Sequence, residues 1–268
     1  MTRVGVFGAA GRMGMTVCAA VQGAADLELV AAVDPAAEGK PLDEVASLHG
    51  TGIDIAASPD AMAAAGVEVA VDFTVAAAAQ ANLRWCADNG VHAVCGTTGF
   101  EPPDLEAMKG WFSGSAHAVV AANFSIGAAL MMRCAEVCAP WVAGVEVVEL
   151  HHERKRDAPS GTSLETIRRM QAAREAASSG DWAADPTEKE LVAGARGGRA
   201  EGGVHVHSVR LPGFVAHQEV IFGLQGEILS VRHDSLDRAS FMPGVLIAVR
   251  RVAEFEGLTQ GLGELLGL

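Results

Sequence analysis

Basic residues are scarce in this chain. It has 20 Lys+Arg against 33 Asp+Glu over 268 residues, a formal net charge of -13. A protein that binds nucleic acid must neutralise a run of phosphates, and no basic stripe exists here to do so, which excludes nucleic acid as a partner. Long apolar runs are missing too. Half of the residues are apolar, yet none of the runs is long enough to cross a bilayer, so no membrane is expected. The first strand begins within three residues, which leaves no room for a signal peptide. There are five cysteines, an odd number, scattered at positions 18, 86, 95, 134 and 138. Cys134 and Cys138 lie one helical turn apart, but no second pair completes a zinc site, and no metal is expected. They read as core thiols of a reducing compartment, and a cytoplasmic protein is expected. There are no internal repeats and no low-complexity tails. What remains is one large domain or two modest ones with a proper core.

Two adjacent histidines and a run of three basic residues mark Glu149–Ser163, E-L-H-H-E-R-K-R-D-A-P-S-G-T-S. Val145–Leu150 alternates as a strand does, and it delivers His151 and His152 at its end. Arg154, Lys155 and Arg156 follow. Ser160-Gly161-Thr162-Ser163-Leu164-Glu165 then reads as a helix start, with Thr162 and Glu165 at capping-box spacing. Unpaired amides and the positive end of the macrodipole make such a start an anion site. A His-His pair alone is commonplace on a surface, and Asp157-Ala158-Pro159 alone is turn chemistry. An imidazole, an ammonium and an anion cradle within fifteen residues point instead to a site for a carboxylate-bearing substrate.

The rest of the chain divides by pattern. Arg3–Phe7 is a short apolar run that ends in G-A-A-G-R-M-G, and a helical pattern follows from Met13. Strand, glycine turn and helix in this order suggest a dinucleotide site, although the spacing is G-x-x-G-x-x-G. The next strand, Leu27–Val33, ends in Asp34, twenty positions after Gly14, where an acidic residue receives the adenosine ribose hydroxyls. Val67–Val71 leads to D-F-T (72–74) and an alanine-rich helix through Trp85. His92–Cys95 leads to G-T-T-G (96–99) and a helix opened by Pro102 and Pro103. Ala118–Ala122 leads to Asn123-Phe124-Ser125. Strands alternating with helices imply a doubly wound parallel sheet whose carboxyl edge binds a ligand.

After the helix Ile126–Cys138 and the strand at 145–150 the pattern changes. Residues 178–203 are polar, glycine-rich and without periodicity, a length that suggests a functional or mobile connection. Val204–Arg210, Val215–Gly223 and Ile228–His233 alternate without helices between them and read as adjacent antiparallel strands. His205 and His207 share one face and read as packing or subunit-contact residues. Phe241–Phe255 returns to helical spacing. The fold class is therefore α/β, a Rossmann-type doubly wound sheet plus a smaller α+β domain with an open, mainly antiparallel sheet. The expected boundaries are 1–124 with 236–268 for the dinucleotide domain, and 125–235 for substrate binding and oligomerisation. A homo-oligomer that covers the open sheet at 204–233 is the natural protection for it.

V-G-V-F-G-A-A-G-R-M-G, D-F-T, C-G-T-T-G-F, A-A-N-F-S-I-G and E-L-H-H-E-R-K-R-D-A-P-S-G-T resemble the successive signature blocks of the 4-hydroxy-tetrahydrodipicolinate (dihydrodipicolinate) reductases of the diaminopimelate route to lysine. The resemblance runs over essentially the whole chain. It implies reduction of a small dianionic cyclic substrate by NADH or NADPH, without metal, in a homotetramer. His151 would be the acid/base and Lys155 the catalytic cation, while His152, Gly161 and Thr162 would hold the substrate carboxylates. Gly8, Ala9, Ala10, Gly11, Arg12 and Met13, with Asp34, would hold the dinucleotide. Gly96, Thr97 and Thr98, and Ala121, Ala122, Asn123 and Phe124, would complete that site. Members that favour the phosphorylated cofactor often carry an arginine just after the acidic residue. This chain has Pro35-Ala36-Ala37, so NADH is expected to serve at least as well as NADPH, with Arg12 and Lys40 still in reach of a phosphate. Two rivals remain on the same scaffold, another amine or amino-acid dehydrogenase and a non-catalytic NAD(H) sensor.

Overall fold

The apolar run that opens the chain forms β1 (Thr2–Phe7), in which Val4 to Phe7 are buried. The computed structural model describes residues 1–268 and divides into two compact units, Met1–Ile126 with Phe241–Leu268, and Gly127–Ser240.

In the first unit β1 is followed by α1 (Arg12–Gln22), β2 (Leu27–Val33), and the short helices α2 (Leu42–Ala46) and α3 (Asp60–Ala64). Then come β3 (Val69–Asp72), α4 (Ala76–Asp88), β4 (His92–Cys95), α5 (Pro102–Trp111) and β5 (Ala118–Val120). Strands such as V-A-V-D are buried along their whole length, as they must be in a sheet covered on both faces. Helix α5 starts at two prolines, and Glu101 N donates to Asp104 Oδ2 at 2.8 Å. Phe7, Met62, Leu83, Met108 and Phe112 fill the core between sheet and helices.

The second unit begins within α6 (Ile126–Cys138). It continues with β6 (Gly144–His151), α7 (Gly161–Ala176), β7 (Gly198–Arg199), β8 (His205–Arg210), β9 (Ala216–Leu224) and β10 (Glu227–Ser235). The chain then returns to the first unit through α8 (Met242–Arg251), β11 (Leu258–Gln260) and α9 (Gly263–Leu266). Helix α8 buries Met242, Val245, Ala248 and Val249, the spacing of one helical face.

The first sheet runs β11-β5-β4-β3-β1-β2, and every pairing in it is parallel. Its edge strand β11 was not foreseen, because three residues after a helical pattern carry too little period to read. The chain goes outward from β1 to β2 and then crosses back to β3. The reversal lies between β1 and β3, the switch point at which open parallel sheets take ligands.

The second sheet runs β10-β9-β6-β8-β7. Here the expected row of three adjacent antiparallel strands is corrected. β6 lies between β8 and β9, parallel to the first and antiparallel to the second. Alternation reports which face a strand buries, not which neighbour it takes. The other pairings, β7 with β8 and β9 with β10, are antiparallel. Val147, Val206, Val220 and Phe222 meet Ile167 and Met170 of α7 in one core. Residues 178–197 form neither helix nor strand and are held by side chains. Arg174, 3 % exposed, donates to the carbonyls of Ala139, Val142, Gly180 and Asp181, and its guanidinium lies 3.9 Å over the Trp182 ring.

Candidate active site

In the first unit the strands end side by side, and the sequence decides what each end offers. After β1, Gly8 turns at φ +69°, a conformation that favours glycine. Gly8 N donates to Val33 O at 2.8 Å and Gly11 N to Gly8 O at 2.9 Å. A Cβ on Gly14 would sit 2.0 Å from Gly8 O, so the third glycine lets α1 press onto the turn. This is why the spacing is seven residues of G-x-x-G-x-x-G. After β2, the Asp34 carboxylate receives Ala10 N at 3.0 Å and Ala36 N at 3.1 Å, fixing the two loops to each other.

After β3, Asp72 is 2 % exposed and accepts from Thr74 N, Thr74 Oγ1, Thr97 Oγ1 and Asn82 Nδ2 at 2.7–2.9 Å. It thereby ties the 96–98 loop to the turn after β3. The Phe73 ring lies against Gly96, where a Cβ would come within 2.0 Å of it, and stands 5.9 Å from the Phe124 ring. Ala121 N donates to Cys95 O at 3.0 Å, and Asn123 Oδ1 accepts from Ser125 N at 2.8 Å.

A cleft of about 350 Å³ opens at the switch point, lined by Gly8, Gly11, Asp34, Pro35, Phe73, Thr74 and Asn82 among others. Asp34 is the sole charged residue in that lining. Ala9 is buried beneath the turn, Ala10 and Met13 are half-buried, and Arg12, Lys40, Thr98 and Ala122 are exposed away from the lining. A glycine turn at a helix start, a free crevice and an acidic strand end suit the pyrophosphate and ribose of a dinucleotide.

In the second unit the site is made of side chains. β6 alternates, so Val145, Val147, Glu149 and His151 share a face. Glu149 is fully buried and its Oε2 lies 2.5 Å from His151 Nδ1. Arg210, opposite His151 on β8, grips both carboxylate oxygens at 2.7 and 2.8 Å. Burial pushes the Glu149 carboxyl up, but hydrogen bonds from His151, Arg210 and Ser208 outweigh it and bring it down to about 2. Past the strand, Arg154 N donates to His152 Nδ1 at 3.2 Å, and burial followed by the charge of Arg154 holds the His152 imidazole below its usual value. Lys155 Nζ contacts both Asp157 oxygens at 2.8 and 3.0 Å, and that hydrogen bond lowers the Asp157 carboxyl.

The expected capping box at Thr162 and Glu165 is corrected. Helix α7 is capped by Ser160, whose Oγ accepts from Ser163 N at 3.3 Å. The Glu165 carboxylate reaches forward to Arg168 and Arg169. Two arginines within reach took the glutamate that a box at Thr162 would need. Ser163 Oγ donates to Gln218 Oε1 at 2.7 Å, and Gln218 Nε2 donates to Thr166 Oγ1 at 2.8 Å, which fastens the start of α7 to β9. Thr162 lies in the first turn, half-buried. Gly161 is exposed, its φ is not left-handed, and a Cβ there would meet nothing within 4 Å. Neither backbone nor packing requires that glycine, which leaves open space before the helix amides.

His151, His152, Lys155, Gly161 and Thr162 thus belong to one strand–loop–helix stretch of the second unit, from the end of β6 to the start of α7. The dinucleotide candidates from Gly8 to Phe124 belong to one sheet edge of the first. Arg210 and Gln218 escape notice in the sequence, while Glu149 and Asp72 appear there only as members of their motifs, without a role of their own. A charged residue on the buried face of a strand, two positions before a candidate imidazole, was a readable signal for Glu149. Arg210 and Gln218 come from strands 61 and 55 residues away from their partners and had none.

Comparison with known proteins identifies the family. Residues 2–124 match the family described as dihydrodipicolinate reductase, N-terminus, and residues 127–266 match its C-terminus. The 4-hydroxy-tetrahydrodipicolinate reductase of Nocardia farcinica is 47% identical over 268 residues, covering 99% of both chains. That of Cutibacterium acnes is also 47% identical and covers 100% of both. A dipicolinate-bound dihydrodipicolinate reductase from Paenisporosarcina sp. TG-14 superposes with a TM-score of 0.85 at 34% identity, over 98% of this chain and 99% of that one. An amine dehydrogenase from Mycobacterium smegmatis, at 15% identity and a TM-score of 0.61, shares the fold alone. The chain belongs to the dihydrodipicolinate reductase family of oxidoreductases.

Proposed function

We propose that this reductase converts 4-hydroxy-tetrahydrodipicolinate to tetrahydrodipicolinate in lysine and diaminopimelate biosynthesis, with His151 delivering the proton. The observation that carries the reading is the His151 ring, held through Nδ1 by buried Glu149, in the loop that also carries Lys155 and the α7 start. The net change adds a hydride and a proton and releases water. A bound nicotinamide supplies the hydride. The first unit would hold that dinucleotide: the Gly8–Met13 turn takes the pyrophosphate and Asp34 the ribose hydroxyls. The 96–98 and 121–124 loops would border the nicotinamide end.

The second unit would hold the substrate. The α7 start at Gly161 and Thr162, together with His152, would take the carboxylates. Lys155 supplies positive charge beside the ring as electrons move into it. His151 Nε2, the nitrogen that Glu149 leaves uncommitted, passes the proton, a role for which imidazole is suited near neutrality. Asp157, which pairs with Lys155 here, would give way to or share the ammonium with the substrate.

NADH should serve at least as well as NADPH, since the cleft presents a carboxylate and no basic residue to a 2′-phosphate. A homotetramer is supported by the open second sheet, whose edge strand β10 leaves Ile228 75 % exposed; light scattering that returned a stable monomer at micromolar concentration would refute it. No helix is long and apolar enough to cross a membrane, and we place the enzyme in the cytoplasm.

The test is spectrophotometric, following NADH oxidation with freshly made substrate. Turnover in the wild type, and a loss of roughly 10²–10⁴-fold in kcat for His151→Gln with NADH affinity retained, supports the assignment. NADH binding without turnover in the wild type would make the chain a sensor. Near-normal kcat in His151→Gln would move the acid elsewhere, His152 first.

A further inference from the structure

We infer that Glu149, gripped by Arg210, is a positioning residue of the reaction, holding His151 with its hydrogen on Nδ1 so that Nε2 is the atom that transfers the proton. The inference rests on the reading of His151 as the acid, and it begins from the strand. A period of two puts residues 149 and 151 on one face, so the carboxylate reaches the ring along its own strand. An ionised carboxylate only accepts, and therefore the ring nitrogen 2.5 Å from Oε2 is the donor. The low acidity range of Glu149, produced by these same hydrogen bonds, keeps it ionised throughout the working pH. Nδ1 is thereby committed, and the ring offers chemistry through Nε2, on a side chain that remains 14 % open.

Arg210 gives the pair its rigidity. Its two terminal nitrogens clamp both oxygens of Glu149, and Nη2 also donates to Asp157 O at 2.8 Å. One guanidinium therefore fixes the carboxylate behind His151 and the loop that carries Lys155. Arg210 does this while its own buried Nε has no partner. A pair that served stability alone would be replaceable by well-packed apolar residues. Glu149 faces the ring directly, Arg210 lies behind it on the same carboxylate, and His152 is adjacent in the chain.

Nitrogen NMR of histidine-labelled full-length enzyme reads the ring directly, the His151 signal being the one lost in His151→Gln. The wild type should show His151 with hydrogen on Nδ1, whereas a free neutral imidazole favours hydrogen on Nε2. In Glu149→Gln, checked for folding by circular dichroism, that signal should revert toward the Nε2–H form. Its kcat should fall roughly 10–10²-fold with substrate KM little changed, less than removal of the imidazole itself. In the His151→Gln background, Glu149→Gln should cost nothing further. A folded Glu149→Gln that keeps both the wild-type kcat and the Nδ1–H signal overturns the proposal, as does a full additional loss in the double variant. Should Glu149→Gln not fold, Arg210→Lys keeps the charge and drops the two-point clamp; mixed tautomers and a several-fold lower kcat support the proposal, and a wild-type spectrum and rate overturn it. If His151→Gln retains kcat, the assignment of the acid fails, and the wild-type nitrogen spectrum still tells whether Glu149 holds the ring.

Discussion

Each unit buries a carboxylate near the end of a strand at its candidate site, and the two are satisfied by different chemistry. Asp72 in the first unit receives a backbone amide, two threonine hydroxyls and an asparagine amide, all neutral donors. Glu149 in the second receives a guanidinium and an imidazole. Neutral donors fix the shape of the loops at the strand ends of the first unit. A guanidinium and an imidazole tie the other carboxylate to the stretch that carries His151 and Lys155. The first site is accordingly backbone arranged by side chains, and the second is side chains arranged by a sheet.

The largest effect should come from the second unit. Lys155→Ala is expected to lower kcat by roughly 10²–10³-fold, the loss typical of one group stabilising developing charge. Substrate KM should rise as well, and NADH affinity in fluorescence titration should stay put. A matching loss of NADH affinity would break the division of labour.

Asp72→Ala should act in the opposite sense. It strands the Thr97 hydroxyl and its companions, at about 1–3 kcal/mol in thermal unfolding for each donor left buried and unmade. NADH binding should weaken, with kcat at saturation nearly preserved.

A third contrast is in acid. The folded Glu149 carboxyl titrates at about 2, below the ordinary glutamate value of roughly 4.3. A depressed carboxyl stabilises the fold above its unfolded pKa, and that contribution is lost as pH falls toward the folded one. Thermal unfolding between roughly pH 4.3 and 2 should therefore show a loss that Glu149→Gln lacks; parallel curves for the two proteins would deny Glu149 that share.

The smallest effect concerns Asp34. Removing one negative charge from beside a 2′-phosphate is worth about 1 kcal/mol, or about fivefold in the NADPH-to-NADH ratio of kcat/KM for Asp34→Ala. An unchanged ratio would show that selectivity lies elsewhere.

This contrast also governs what could be read from residues alone. The parallel sheet was legible because each of its loops is one contiguous motif at the end of one apolar run. The edges of β2, β4, α5 and α6 fall where pattern puts them. Asp34 and the Gly8–Gly14 turn are joined by a single local hydrogen bond, from Ala10 N to the Asp34 carboxylate. In the second unit the strands were legible one by one, but of the site only its own loop was. His151 and Lys155 announce themselves in sequence, but Arg210 and Gln218 reach the site by strand pairing. The insertion of β6 between β8 and β9 is a tertiary outcome that alternation does not encode. The helix cap went to Ser160 because Glu165 had competing arginines, a choice made by local electrostatics that spacing does not register.

The placement of β11 has a consequence for birth on the ribosome. The strand pairs with β5, yet the whole second unit is translated between them. At 5–20 residues per second the nascent first sheet waits on the order of ten seconds with its β5 edge bare. The inserted unit has all its strands by Ser235 and can close ahead of the sheet that preceded it out of the exit tunnel. A release of the chain before Leu258 would leave the older sheet, rather than the younger one, unfinished and open to edge pairing.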